Sequence, residues 1–305
     1  MSNIRENLKR IPSMVSLVRN GRKLYRLLRT KYLLNRYPDG GYLKCGGVEV
    51  FCDFHDPTYA WYDGLSHNLA MDQKVIAGVL CQGQGNVLID IGAHNGFFTA
   101  YLAKLAQKLL IPKAKVISLE PDRKHFYCLQ KTAARCAQTN ILLMPKGLSD
   151  KDTSLHLYRT RDNYSYTYAI EGAEMVDIVP SISLDTLASE YLSVDDRIAF
   201  IKVDIDGSEP VLFSGGKKTL EIHRPIIVME FAPSQLLRAK VDARNFYSYL
   251  CDHFEVYWIS YQGRKIKKVQ RSDYKEMEAV VGDAITDLVL SKSCLDFSEV
   301  EKRLT

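Results

Sequence analysis

The chain has 305 residues, 46% of them hydrophobic and 25% charged, with a formal net charge of +5, so it can bury a large core and is neither disordered nor fibrous. Residues 1–40 carry ten Lys/Arg against Glu6 and Asp39, a local +8, and taking this from the total leaves −3 on the other 265 residues. That distribution argues against a nucleic-acid surface over the body and ranks nucleic acid last among partners.

The first predicted element is a basic amphipathic helix entered at Pro12 and Ser13. Met14, Val18, Tyr25, Leu28 and Tyr32 fall on one stripe, and Arg19, Arg22, Lys23, Arg26 and Arg29 gather on an adjoining face. The breakers Tyr37-Pro38-Asp39-Gly40-Gly41 are expected to form a hinge. Residues 1–41 are therefore expected to be an extension, 42–70 an aromatic lead-in with a strand near Val48–Cys52, and 71–305 the main domain. In the lead-in, Trp61 and Tyr62 are expected to serve packing first and a pocket roof second.

From residue 71 the pattern predicts a helix over 71–81, a buried strand Val87–Ile91, a helix over 99–110 and a strand Lys115–Leu119. A helix over Lys124–Gln138, strands Ile141–Met144 and Ser154–Tyr158, and a helix Leu184–Leu192 follow. Next come strand Ala199–Val203, helix Pro210–Leu220, strand Pro225–Glu230 and helix Ser234–Leu250. Alternating buried strands and helices indicate an α/β, doubly wound, mostly parallel sheet. The tail reads as an antiparallel hairpin, Glu255–Tyr261 with Lys265–Val269, and an edge strand Asp287–Ser291. The tyrosine-rich stretch Arg159–Tyr168 is open between an acceptor-binding lid and an edge strand. Seven widely spaced cysteines with no C-x-x-C pair suit a reducing, cytoplasmic compartment, and no run of 18 apolar residues suggests a membrane span.

Asp90-Ile91-Gly92-Ala93-His94-Asn95-Gly96-Phe97-Phe98-Thr99 stands where the first core strand gives way to a helix, the place where such sheets bind ligands. A dinucleotide turn would have a glycine where His94 stands, and Asp90 would repel a pyrophosphate, whereas a ligand bearing an amine and a sulfonium suits both. Glu120-Pro121-Asp122 ends the next strand, and an acid there can accept from both ribose hydroxyls. Together the two segments suggest S-adenosylmethionine. The third segment, Ile198–Glu209, delivers Lys202, Asp204, Asp206 and Glu209 to the same sheet edge, and Glu230 ends the following strand. So many acids need a cation, a base role or solvent to relieve them; a solvated acidic turn is the plain alternative.

As an ordered set, the run from Asp90 to Thr99, Glu120-Pro121, S-I-S-L-D-T-L at 181–187, I-K-V-D-I-D-G-S-E at 201–209 and R-P-I-I-V-M-E at 224–230 resembles the FkbM family of S-adenosylmethionine-dependent methyltransferases, over about residues 70–260. The resemblance implies a Rossmann-like class I fold, a seven-stranded sheet with an antiparallel edge hairpin, and O-methylation of hydroxyls on sugars, polyketides or other natural products. Carried over, Asp90, Gly92, Ala93, His94, Asn95, Gly96 and Thr99 would surround the methionine part of the cofactor. Glu120, with Pro121 and Asp122, would hold the ribose, Gly147 and Leu148 would wall the adenine, and Asp204 would lie near the methyl group. This chain departs from the family's G-A-N-x-G at His94 and from its K-x-D-x-E-G at Asp206.

Methyl transfer to an alcohol needs a proton acceptor, for which Asp204 or Asp206 is expected, with Lys202 steadying charge, Glu209 orienting and Glu230 facing the same crevice. A divalent metal on these carboxylates is the alternative. The basic helix over residues 13–36 would meet an anionic membrane at its inner face, dock on the acidic body, or form an oligomer contact. The expected function is O-methyl transfer to a hydroxyl of a sugar, glycan or natural product, lipid-linked if the helix lies on a membrane. A non-catalytic S-adenosylmethionine-binding scaffold is the rival, and a nucleotide-sugar enzyme using NAD ranks behind both.

Overall fold

The computed structural model describes residues 25, 27–63, 67–136, 139–160, 164–261, 264–281, 285–298 and 300–301. The predicted N-terminal helix lies outside these residues up to its last turns, where α1 is helical over 27–36. Its stripe faces solvent: Tyr25, Leu28 and Tyr32 are all more than half exposed, and Leu33 is buried instead. Leu33 joins a small core with Leu43, Val50, Phe54 and Tyr59, which extends to Phe97. Polar contacts fix the same turns, since Arg29 donates to both carboxylate oxygens of Asp63 at 3.0 and 3.1 Å and Thr30 Oγ1 lies 2.6 Å from the Tyr59 hydroxyl. The helix end is thereby tied to the lead-in, a hairpin of β1 (Gly41–Cys45) and β2 (Val48–Cys52) and a 3-10 turn Pro57–Trp61.

The main sheet runs β13-β12-β14-β11-β10-β3-β4-β5. Its strands are β3 (Val87–Ile91), β4 (Lys115–Leu119), β5 (Asn140–Met144), β10 (Ile198–Val203), β11 (Ile226–Phe231), β12 (Glu255–Ser260), β13 (Lys265–Val269) and β14 (Thr286–Ser291). β5, β4, β3, β10 and β11 are parallel. Every residue of β3, β10 and β14 is buried, as expected for strands covered on both faces. One face packs Ile89, Val203 and Met229 against Leu212 and Leu250; the other packs Leu88, Phe200 and Val228 against Val75, Ile76 and Leu102.

Three expectations about the sheets change. The sheet has eight strands rather than seven, because Lys265–Val269 adds to the outer edge of β12. The strand at 287–291 is not an edge: β14 inserts antiparallel between β11 and β12, which is why its Leu288, Val289 and Leu290 are wholly buried. The stretch around Ser154–Tyr158 leaves the main sheet. It is β7 (Thr153–Thr160), in a second sheet with β6 (Gly147–Leu148), β8 (Ser165–Tyr166) and β9 (Ala173–Ile182).

Helices α2 (His67–Leu80), α3 (Phe97–Lys108), α4 (Arg123–Ala133) and α5 (Leu184–Tyr191) fall close to expectation. The helix expected over 210–220 is two, α6 (Pro210–Gly215) and α7 (Lys217–His223). The break is at Gly216, where a Cβ would come within 2.6 Å of Leu212 O and 2.7 Å of Leu184 Cδ2. The helix expected over 234–250 is also two, α8 (Pro233–Arg238) and α9 (Ala243–His253); Asp242 starts the second by accepting from the Asn245 N–H at 2.9 Å. A further helix, α10 (Tyr274–Val281), precedes β14. Among the described residues no helix is long and apolar enough to cross a membrane.

Candidate active site

The carboxyl ends of β3, β4, β10, β11 and the amino end of the antiparallel β14 border one cavity of about 410 Å³. The 3-10 turn contributes Trp61 and Tyr62 to its wall, and the second sheet contributes Tyr164, Ser165 and Tyr166. Strand spacing of about 4.8 Å sets the layout. Glu120 after β4 and Asp287 in β14 stand four strands apart, so the cavity has two distinct ends.

At the β3/β4 end the chain turns through Gly92, whose φ is +78° and whose Cβ would lie 1.8 Å from Asp204 O. Only glycine lets the loops after β3 and β10 meet so closely, and Asp204 N–H donates to Ile91 O at 3.0 Å. Glu120 accepts from the His94 N–H at 2.8 Å on one oxygen and from the Asp122 N–H at 2.9 Å on the other. Burial lifts its pKa to about 7. The first turn of α3 opens at Gly96 with no side-chain cap, leaving helix N–H groups for an anion.

His94 and His125 pack against each other with ring centroids 3.8 Å apart and planes tilted by 34°. Burial, then the charge of His125, drives His94 well below the usual imidazole range. His125 goes the other way: burial opposes its charge, but the 3.3 Å contact with Asp56 and the charges of Glu120 and Asp122 outweigh it. The neutral His94 has Nδ1 3.0 Å from the Tyr62 hydroxyl, while its buried Nε2 meets no hydrogen-bond partner among the described residues. Trp61 extends the row, 5.2 Å from His94 and 5.7 Å from Tyr164.

At the β10/β14 end, Lys202 is 2% exposed. Its ammonium lies 3.5 Å from Asp204 and 3.6 Å from Asp287. Burial works against that charge, and its acidic neighbours, Asp287 first and then Asp204, more than restore it. Asp206, at φ +54°, accepts from Gln235 Nε2 at 3.0 Å. Burial and the neighbouring Asp204 push its carboxyl far above the usual range, so it carries a proton near neutrality. Tyr168 donates to the Asp206 carbonyl.

Of the expected residues, Gly92, Ala93, His94, Glu120, Pro121, Lys202, Asp204, Asp206 and Glu230 line the cavity. Others lie behind it. Asp90 is buried beneath the turn, accepting from Thr99 Oγ1 at 2.6 Å, with burial raising its pKa to about 6. Asn95 and Gly96 stand against α4: Thr132 donates to the Asn95 carbonyl at 2.7 Å, and a Cβ on Gly96 would meet Leu129 at 2.7 Å. Asp122 caps α4 through the Lys124 N–H and accepts from Ser165 and Arg159. Gly147 and Leu148 belong to β6, where a Cβ on Gly147 would lie 2.9 Å from Leu155. Glu209 accepts from the N–H groups of Ile205 and Gly207 at 3.2 and 3.1 Å, which orients the Asp204–Gly207 loop from below.

Sequence reasoning missed Asp72, His125, Tyr261 and Asp287, all on the cavity wall. Asp287 had a signal, a carboxylate directly before the apolar run Leu288–Leu290 of the strand Thr286–Ser291. Among the described residues no group of three or more His, Cys, Asp or Glu side chains is placed to hold a metal ion.

The family model of the methyltransferase FkbM domain matches residues 90–256, and no curated protein matches the sequence. Among solved structures, the chain is similar to a methyltransferase FkbM from Methylobacillus flagellatus KT, at 18% identity and TM-score 0.41, covering 68% of this chain and spanning 43% of that one. It is also similar to the O-methyltransferase TomG from Streptomyces achromogenes, involved in tomaymycin synthesis and crystallised with S-adenosylmethionine, at 14% identity and TM-score 0.42, covering 78% of this chain and 87% of that one. A third is a putative methyltransferase from Streptococcus mutans in complex with S-adenosylhomocysteine, at 13% identity and TM-score 0.41, covering 72% of this chain and 97% of that one. The matched segment runs from the Gly92 turn through Glu120 and Lys202 to Glu230, with Asp72, Tyr261 and Asp287 outside it, and takes in more than half of the sequence: the chain belongs to the FkbM family of methyltransferases.

Proposed function

We propose that the protein is an S-adenosylmethionine-dependent O-methyltransferase acting on a hydroxyl of a sugar, glycan or natural product. The observation that carries this reading is that one cavity joins the Glu120 carboxylate and the Gly92–His94 turn to the carboxylates after β10. The residues fit the cofactor: Glu120 keeps lone pairs for two ribose hydroxyls, the open first turn of α3 suits a carboxylate, and Trp61 and His94 offer planar faces to an adenine.

When bound, S-adenosylmethionine supplies an electrophilic methyl group. Asp204 is the proton acceptor for the attacking hydroxyl, since its side chain is 38% exposed beside Lys202, whereas Asp206 already holds a proton. Lys202 balances the charge that remains on Asp204 once the hydroxyl is placed, and Glu209 holds the loop. Calorimetry of S-adenosylhomocysteine against NAD tests the cofactor, with binding of the former alone expected. Transfer of labelled methyl to a panel of sugars, glycans and hydroxylated natural products tests the reaction. The non-catalytic scaffold predicts binding with no transfer to any of them, and turnover that does not exist for Asp204→Ala to remove.

The solvent-facing Leu27, Leu28 and Tyr32 beside Arg36 support a second role for the basic helix, seating the enzyme on an anionic membrane where a lipid-linked acceptor would be found. Flotation with vesicles containing phosphatidylglycerol, compared with a chain lacking residues 1–24, tests this. The cut spares Arg29, Thr30 and Leu33, which hold the cavity wall.

A further inference from the structure

The inner end of the cavity holds more carboxyl groups than methyl transfer requires. Asp72, Asp204, Asp206, Glu230 and Asp287 border it around Lys202. Glu230 and Asp287 are register partners in the antiparallel β11–β14 pair, so their side chains leave the same face of the sheet side by side, an arrangement that disfavours two like charges. Asp287 is 4% exposed. Its Oδ1 and Glu230 Oε1 are buried without a hydrogen-bond partner among the described residues, and Lys202 approaches that Asp287 oxygen only to 3.6 Å.

The protons around Tyr261 show which groups stay charged. Its hydroxyl lies within hydrogen-bonding distance of Asp72, at 2.6 Å, and of Asp287 Oδ2. A phenol has one proton to give, so one of the two acids supplies the second. Asp72 is that acid, held protonated by burial and by the charge of Asp287. Asp72 then donates to Tyr261 and Tyr261 to Asp287, which leaves Asp287 an anion with its second oxygen unsatisfied.

We propose that this end of the cavity is a subsite for an ammonium group on the methyl acceptor, held between Asp287 and Glu230, so that the acceptor is an amino alcohol or an aminated sugar. This rests on the methyltransferase reading and narrows it. A primary ammonium has three donors, enough to reach both orphaned oxygens and a third acceptor, and its charge favours the ionised form of Glu230, which burial and the neighbouring acids disfavour in its absence. Bound as the cation, the nitrogen has no lone pair with which to attack a sulfonium methyl, so the hydroxyl near Asp204 remains the nucleophile. Acceptors carrying phosphate or carboxylate meet like charge there and are excluded.

The test uses the full chain saturated with S-adenosylhomocysteine and three probes of one shape: trans-2-aminocyclohexanol, trans-cyclohexane-1,2-diol and trans-2-hydroxycyclohexanecarboxylate, with affinities read by ligand-observed NMR. The amino alcohol is expected to bind at least tenfold more tightly than the others, and Asp287→Asn and Glu230→Gln are each expected to abolish that preference. Where Asp287→Asn does not fold, Glu230→Gln alone decides. Absence of amine binding, equal or tighter binding of the diol or the acid, or a preference that survives in every folded variant overturns the subsite. If S-adenosylhomocysteine binds while the preference is missing, the subsite falls and the methyltransferase reading stands. If S-adenosylhomocysteine does not bind, both fall.

Discussion

Glu230 and Asp287 face each other across β11 and β14 as register partners, two carboxyl groups side by side within a buried sheet. Burial, and then the neighbouring Asp204, raises the Glu230 pKa well above the carboxylate range. An acid whose folded pKa exceeds its unfolded one binds its proton more tightly when folded, so stability falls as pH rises from the unfolded value through the folded one. Glu230→Gln, which does not titrate, should therefore be more stable than the parent by roughly 0.2–1 kcal/mol, with the gain larger at pH 9 than at pH 6. Thermal melts at the two values check this, and a gain independent of pH would refute the electrostatic origin.

The same cluster makes Lys202 structural as well as functional. Its ammonium is buried between Asp204 and Asp287, and removing the one cation of a buried ionic group typically costs about 3–5 kcal/mol. Lys202→Met, close in volume, should lower stability by that amount in denaturant titrations near pH 7. The loss should shrink at pH 5, where more of the carboxyl groups hold protons. A variant as stable as the parent at both values would show that the charges are relieved in some other way.

The parallel half of the sheet was legible because strands such as Val87–Ile91 and Ile198–Val203 are buried on both faces and read as unbroken apolar runs. The site at their carboxyl ends was legible in outline for the same reason, since motif and strand end coincide. Burial on both sides also hid the place of β14: an apolar run shows that a strand is covered but not which strands flank it. Asp90 misled through its position. A strand-end acid followed by a glycine turn reads as ligand-facing, yet its partner is Thr99, in the first turn of α3 and nine residues on in sequence. Asp72, Tyr261 and Asp287 converge from α2, the end of β12 and β14. Contacts spanning 189 residues leave no local pattern to find.

Asp204 and Asp206 differ in a way that turnover should reveal. Asp206 holds its proton near neutrality and accepts from Gln235 through Oδ1, so Asn is a close replacement for the neutral acid. Asp206→Asn should change kcat little at pH 7. Asp204→Asn removes the proposed proton acceptor and should lower kcat by about 10²–10⁴-fold. Steady-state kinetics of both variants on any acceptor found in the methyl-transfer panel decide it, and the reverse ranking would move the base to Asp206.

Glu120 gives cofactor binding a pH signature. Ribose hydroxyls donate, so they need the carboxylate, while burial holds the free group at a pKa of about 7. Below that value binding must first expel a proton, and affinity for S-adenosylhomocysteine should fall by roughly tenfold per pH unit; above it, affinity should level off. The sign is opposite to that expected if the protonated acid did the binding, which would weaken affinity as pH rises. Asp90, at about 6, also titrates nearby, but its carboxylate is engaged by Thr99 behind the cavity wall, so the slope should belong to Glu120. Glu120→Gln should accordingly bind more weakly above pH 7 and lose the dependence between pH 5.5 and 7. Calorimetry across pH 5.5–8.5, repeated in two buffers of different ionisation enthalpy to count released protons, measures both quantities. A flat profile in the parent, or an unchanged slope in Glu120→Gln, would remove Glu120 from the ribose.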